Sequence, residues 1–141
     1  MSLKLSANEI GYIALFENTT GVVAKDCIID EEENKIIFVV KKGDMGLAIG
    51  RKGSNIQKVR QNIGRKIEVM EYAEDPAEFV RNLFHPLRVK KVSIVDKPEK
   101  KVALVEMDVR DKGQAIGRKG KNLHKAQTLA ERHHHIDITM V

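Results

Sequence analysis

One cysteine, Cys27, is present, so no intramolecular disulfide can form and a structural zinc site built on several thiolates is excluded. Cys27 is expected to be a small buried apolar residue. Three prolines and 10 glycines are too few for a collagen-like or Pro-rich chain, and 42% hydrophobic residues argue against wholesale disorder in these 141 residues. Tryptophan is absent and aromatic residues make up only 4%, which disfavours readers that stack bases on exposed rings; Phe79 and Phe84 fit core packing better. No apolar run approaches the roughly 20 residues needed to cross a bilayer. Met1 to Ser6 does not resemble a signal peptide, so a soluble, cytoplasmic protein without a membrane partner is expected. No nucleophile and base pair, paired carboxylates or Gly-x-Ser-x-Gly elbow is present. Neither an enzyme nor a small-molecule substrate is expected. His133, His134 and His135 are consecutive and cannot converge on one ion from a regular helix or strand, so no metal is expected.

What is there is a modest excess of positive charge, placed unevenly. Lys and Arg number 25 against 20 Asp and Glu, a formal net charge of +5. Between positions 51 and 66 the charged residues are Arg51, Lys52, Lys58, Arg60, Arg65 and Lys66, with no acidic residue among them. Between positions 110 and 125, Arg110, Lys112, Arg118, Lys119, Lys121 and Lys125 are opposed only by Asp111. Either run alone would read as a solvated helix face. The two runs, however, occupy equivalent places of a repeat. Shifted by 67 positions, GLAIGRKGSNIQK (46–58) falls on GQAIGRKGKNLHK (113–125) with nine of thirteen residues identical. Two copies are too few for a solenoid and imply two small similar domains, 1–72 and 73–141.

The same order of elements can be read twice. Ser6 and Glu9 form a capping-box pattern for a first helix ending before Gly21. Val22 to Ile29 and Lys35 to Val40 read as a hairpin across the acidic turn 30–34. A short helix around Gly46 to Ile49, the turn Gly50 to Gly53, and a helix from Ser54, with Gln57 completing a second capping box, lead to a strand at Lys66 to Met70. In the second half Asp75, Pro76 and Glu78 announce a helix carrying Phe79, Val80, Leu83 and Phe84 on its apolar face. Leu87 to Val95 and Lys101 to Met107 form the hairpin. Asp111 to Ile116, Gly117 to Gly120, Lys121 to Arg132 and Ile136 to Met140 then repeat helix, turn, helix and strand. The fold class expected is α+β, each domain a three-stranded sheet packed on helices.

Two glycines bracketing two basic residues between helices let backbone approach an anion, because no Cβ intervenes. The following helix start attracts phosphate oxygens, and Arg51, Lys52, Arg118 and Lys119 add full charges. Ile49 and Ile116 before the turn, with Ile56 and Leu123 after it, supply an apolar floor suited to unstacked bases. The ligand expected is single-stranded nucleic acid. Walker A spacing is not present, and the glycine spacing does not match the dinucleotide fingerprint, so no nucleotide cofactor is expected.

The order α, β, β, α, GxxG, α, β with IGRKG at 49–53 and again at 116–120 resembles tandem type II KH domains, and two copies at this length look most like the short archaeal-type NusA proteins. The resemblance covers nearly the whole chain. It implies RNA binding in transcription elongation, termination or antitermination, with the RNA polymerase elongation complex as a further partner. The RNA-binding residues expected are Ile49, Gly50, Arg51, Lys52, Gly53, Lys58 and Arg60, and Ile116, Gly117, Arg118, Lys119, Gly120, Lys121 and Lys125. Two alternatives stay open. One is an RNA-binding factor of ribosome assembly or translation. The other is a protein-interaction scaffold, suggested by a first half with 11 basic and 10 acidic residues.

Overall fold

The capping box at the start of the chain forms as its spacing predicts. Glu9 N donates to Ser6 Oγ at 3.1 Å and Ser6 N donates to Glu9 Oε1 at 2.8 Å, opening α1 (Ala7–Thr20). The computed structural model describes residues 5–141, so positions 1–4 of the stretch compared above with signal peptides lie outside it. The chain divides into two compact units, Met1–Tyr72 and Ala73–Val141. Among the described residues no helix is long and apolar enough to cross a membrane.

In the first unit β1 (Ala24–Asp30) and β2 (Lys35–Val40) form the antiparallel hairpin, and β3 (Lys66–Glu71) pairs with β2 in parallel. Parallel neighbours cannot be joined by a tight turn and need a crossover. That crossover consists of α2 (Met45–Ile49), a single 3-10 turn (Arg51–Gly53) and α3 (Ser54–Ile63), so the basic loop sits inside it. Ile36, Phe38 and Val40 of β2, with Ile67 and Val69 of β3, meet Phe16, Ala48 and Val59 from the three helices. Phe16 and Phe38 are fully buried and stacked, with ring centroids 4.3 Å apart. Cys27 lies in this core with no exposure, as its composition context predicts.

The second unit repeats the plan. Asp75 caps α4 (Pro76–Leu83), accepting from Glu78 N at 3.0 Å. β4 (Val89–Asp96) and β5 (Lys101–Met107) are antiparallel, and β6 (Ile136–Met140) is parallel to β5. The crossover between them is α5 (Val109–Ile116), the turn Arg118–Gly120 and α6 (Lys121–His134). Ala103, Val105 and Met107 alternate along β5 as the buried face. Phe79 and Phe84 are buried, as expected.

Three local readings need correction. The capping box expected at Ser54 and Gln57 does not form: Gly53 takes the N-cap position with φ 74°, Ser54 is already helical, and no side chain caps α3. The 3-10 turn supplies the backbone bond instead, from Ser54 N to the Arg51 carbonyl. α5 begins at Val109, ahead of the expected Asp111, because Asp108 accepts from Arg110 N at 3.0 Å. This bond, then the Arg110 guanidinium, holds the Asp108 carboxyl below its ordinary pKa. α6 continues to His134, beyond Arg132, and is one turn longer than α3, at 14 residues against 10.

The ends of these helices differ in a testable way. Gly21 and Gly64 close α1 and α3 in the left-handed region, whereas α6 closes on His135 at φ 52°. A left-handed residue with a Cβ costs about 1–2 kcal/mol, and glycine's extra freedom in the unfolded chain returns about 0.5–1 kcal/mol of that. His135→Gly is therefore expected to stabilise the protein by roughly 0.5–1 kcal/mol. Chemical denaturation measures it, and a loss of stability would mean that the His135 side chain outweighs the backbone term.

Candidate nucleic-acid interface

The two loops share one backbone. Gly50 has φ 80° and ψ 172°, Lys52 φ 54° and Gly53 φ 74°, against 77° and 175° at Gly117, 55° at Lys119 and 73° at Gly120. Each turn is closed by equivalent bonds: Gly50 N to the Gly46 carbonyl and Gly53 N to the Gly50 carbonyl at 2.9 and 3.1 Å, matched by 2.9 and 3.1 Å from Gly117 to Gly113 and from Gly120 to Gly117. The Gly53 and Gly120 amides are thus already spent inside the turn.

The glycines of each pair do different work. A methyl group on Gly50 would lie 2.8 Å from Asn55 N and 2.9 Å from Asn55 Cγ, and one on Gly117 would lie 2.8 Å from Asn122 Cγ. The first glycine is therefore demanded from within. Around Gly53 the nearest atom to such a methyl is Ile56 Cγ2 at 3.8 Å, and around Gly120 nothing lies within 4 Å. Close approach by a ligand backbone is open at the second glycine, while the first is also required to accommodate the asparagine packed beside it.

Lys52 and Lys119 hold the left-handed conformation without being glycine, at a cost on the order of 1–3 kcal/mol each. Such strain persists where surrounding structure imposes it, and here it recurs at both equivalent positions. Arg51, Lys52, Arg118 and Lys119 are exposed and have no ion-pair partner among the described residues. Ile49 and Ile116 end the preceding helices and are half-buried, as are the four loop glycines.

The remaining predicted residues do not form one line. Lys58 and Arg60 are exposed on α3 but lie two positions apart, about 200° around the helix, on opposite flanks of the buried Val59. Lys121 and Lys125 are half-buried and already engaged within the protein. In the second unit a groove opens between α6 and β6, lined by His124, Gln127 and Thr128 opposite Asp137 to Thr139. By the 67-residue shift, Arg60 matches Gln127 on the groove side, whereas Lys58 matches Lys125 on the other flank. Gln127 Nε2 donates to the Ile138 carbonyl at 3.1 Å. At the far end of the groove Lys100 pairs with Glu131, and with Asp137 at 3.0 Å. The hydrogen bonds to Glu131 and then Asp137 raise the Lys100 pKa above its ordinary value. That contribution is complete at neutral pH and is lost only in strong alkali, as pH rises through the raised value.

Sequence reasoning overlooked Asn55 and Asn122, although their identity within the repeat was a signal. The His133 and His134 rings both lie against the Phe79 ring, with centroids 5.6 and 5.1 Å away, and His135 closes the helix.

An αββααβ unit with a GxxG loop inside its parallel crossover is a KH domain, and this chain contains the arrangement twice. A sequence model described as "KH domain" matches residues 10–100, running past Tyr72 into the second unit, and one described as "NusA-like second KH domain" matches residues 76–140. A protein of Methanococcus vannielii named "Probable transcription termination protein NusA" is 39% identical over 132 residues, which cover 94% of this chain and 75% of that protein. The protein of the same name from Halococcus morrhuae is 36% identical over 137 residues, covering 97% of this chain and 96% of that one. The solved structure titled "Crystal structure of APE1850" superposes with a TM-score of 0.80 at 35% identity, covering 97% of this chain and 100% of that one. The chain belongs to the NusA family of KH-domain proteins.

Proposed function

We propose that this protein binds single-stranded RNA through both GRKG loops and acts in transcription elongation and termination, with the transcribing RNA polymerase complex as a partner. The observation that carries the reading is the repeated loop itself: the same backbone conformation twice, an open second glycine, and each time two exposed cations with no ion-pair partner among the described residues. The binding residues are Ile49, Gly50, Arg51, Lys52, Gly53 and Arg60 in the first unit, and Ile116, Gly117, Arg118, Lys119 and Gly120 in the second. Lys58, Lys121 and Lys125 add long-range positive charge from the flanks. A KH loop clamps about four nucleotides through their backbone. The names of the relatives support placing this binding in transcription.

Salt titration of binding to a single-stranded RNA tests the reading. Four loop cations neutralising about four phosphates predict that log affinity falls against log salt with a slope of about −3. A flat response would remove the phosphate clamp. The polymerase partnership is tested by recovering the protein from cell extract with and without nuclease. Polymerase retained after nuclease supports direct contact, polymerase lost with the RNA supports bridging by the transcript, and polymerase in neither sample defeats the partnership.

A further inference from the structure

One asparagine stands behind each loop, two positions after its second glycine. Asn55 Nδ2 donates to the Leu47 carbonyl at 2.8 Å, and Asn122 Nδ2 donates to the Gln114 carbonyl at 3.0 Å. Both bonds reach back eight residues, across the loop, to the helix that precedes it. Both acceptors lie in the last turn of that helix, where carbonyls have no intrahelical donor. Because the acceptor is backbone, the tie is the same whether position 47 or its counterpart carries leucine or glutamine. The same asparagines fill the space beside Gly50 and Gly117, where a methyl group would come within 2.8 Å.

We infer that Asn55 and Asn122 are positioning residues for the two RNA-binding loops, an assignment that rests on the reading proposed above. α2 has only 5 residues, far below the length at which a helix holds itself together. Its orientation relative to α3 must come from outside its own ladder, and the asparagine supplies a direct bond from one helix to the other. With that bond in place, the directions of Arg51 and Lys52, or of Arg118 and Lys119, are set before RNA arrives. Without it, the loop must be ordered on binding, and the ordering cost appears as lost affinity.

The experiment uses the full chain with Asn55→Ala, Asn122→Ala, and the near-isosteric Asn55→Leu and Asn122→Leu, each checked for folding by circular dichroism. Loss of one such bond predicts that each variant binds single-stranded RNA up to about tenfold more weakly. Hydrogen exchange of the amides at 50–53 or 117–120 becomes faster in the RNA-free protein. The salt slope stays at the wild-type value because every loop cation remains, which separates a positioning role from loss of phosphate contacts. Wild-type affinity and wild-type loop exchange in folded Ala and Leu variants would overturn the inference while leaving the RNA-binding reading intact. A wild-type chain that binds no single-stranded RNA would defeat that reading, and the positioning role with it.

Discussion

Replacing Arg51, Lys52, Arg118 and Lys119 together by aspartate is expected to weaken RNA binding by about a hundredfold or more at moderate salt, because four phosphate contacts are lost and four repulsive charges appear. The fold should survive. All four side chains are exposed and have no ion-pair partner among the described residues, and surface substitutions of this kind change stability by about 0.5 kcal/mol or less. Aspartate also tolerates the left-handed conformation that positions 52 and 119 require, so no new backbone strain is added. Fluorescence anisotropy with a labelled single strand reads the affinity, and circular dichroism reads the fold. The two double variants, one per loop, then show how the work is shared. If one strand engages both loops, each double variant forfeits the effective concentration that the other loop supplies, and each loses more than half of the logarithmic affinity change. Unchanged affinity in the quadruple variant would sink the assignment of the loops.

Phe38→Ala carries the largest expected effect on stability. Phe38 has no exposed surface and stacks on the equally buried Phe16 at 4.3 Å with an interplanar angle of 18°. Removing such a ring costs about 3–5 kcal/mol. A unit of this size has a total stability of only about 4–10 kcal/mol, so one side chain accounts for much of it. Hydrogen exchange should show the amides of β1, β2 and β3 losing most of their protection, and RNA affinity should fall as the crossover that carries the first loop loosens. Retained protection in those strands would mean that the stacked pair is not the centre of this core. By contrast, Leu47→Ala, at a side chain 58% exposed, should leave the unfolding midpoint nearly unchanged.

Much of this was legible along the chain because the signals are short-range. A capping box acts across three residues, and both the Ser6 and the Asp75 caps appear where their spacing puts them. β-branched runs on either side of an acidic turn became the first hairpin in the expected order of strand, turn and strand. The repeat of GRKG carried the same dihedral angles into both units. The same short-range logic misled at Ser54, where the 3-10 turn already meets the Ser54 amide that the Gln57 side chain would have bonded, and Gly53 takes the N-cap position. The extra turn of α6 was visible only as a longer interval from Gly120 to Ile136 than from Gly53 to Lys66, and spacing alone does not say whether such residues extend a helix or a loop.

The amino-acid order by itself determined the element order, the duplication, the helix caps at Ser6 and Asp75, and the placement of four cations between paired glycines, all through interactions among residues a few positions apart. Tertiary structure alone decided that β3 and β6 run parallel to their neighbours, and that Gln127 lines a groove between α6 and β6. It also decided that the first glycine of each loop makes room for an asparagine while the second is left open to a ligand. These outcomes depend on contacts formed only when the crossover closes, which bring together atoms that neither periodicity nor spacing relates.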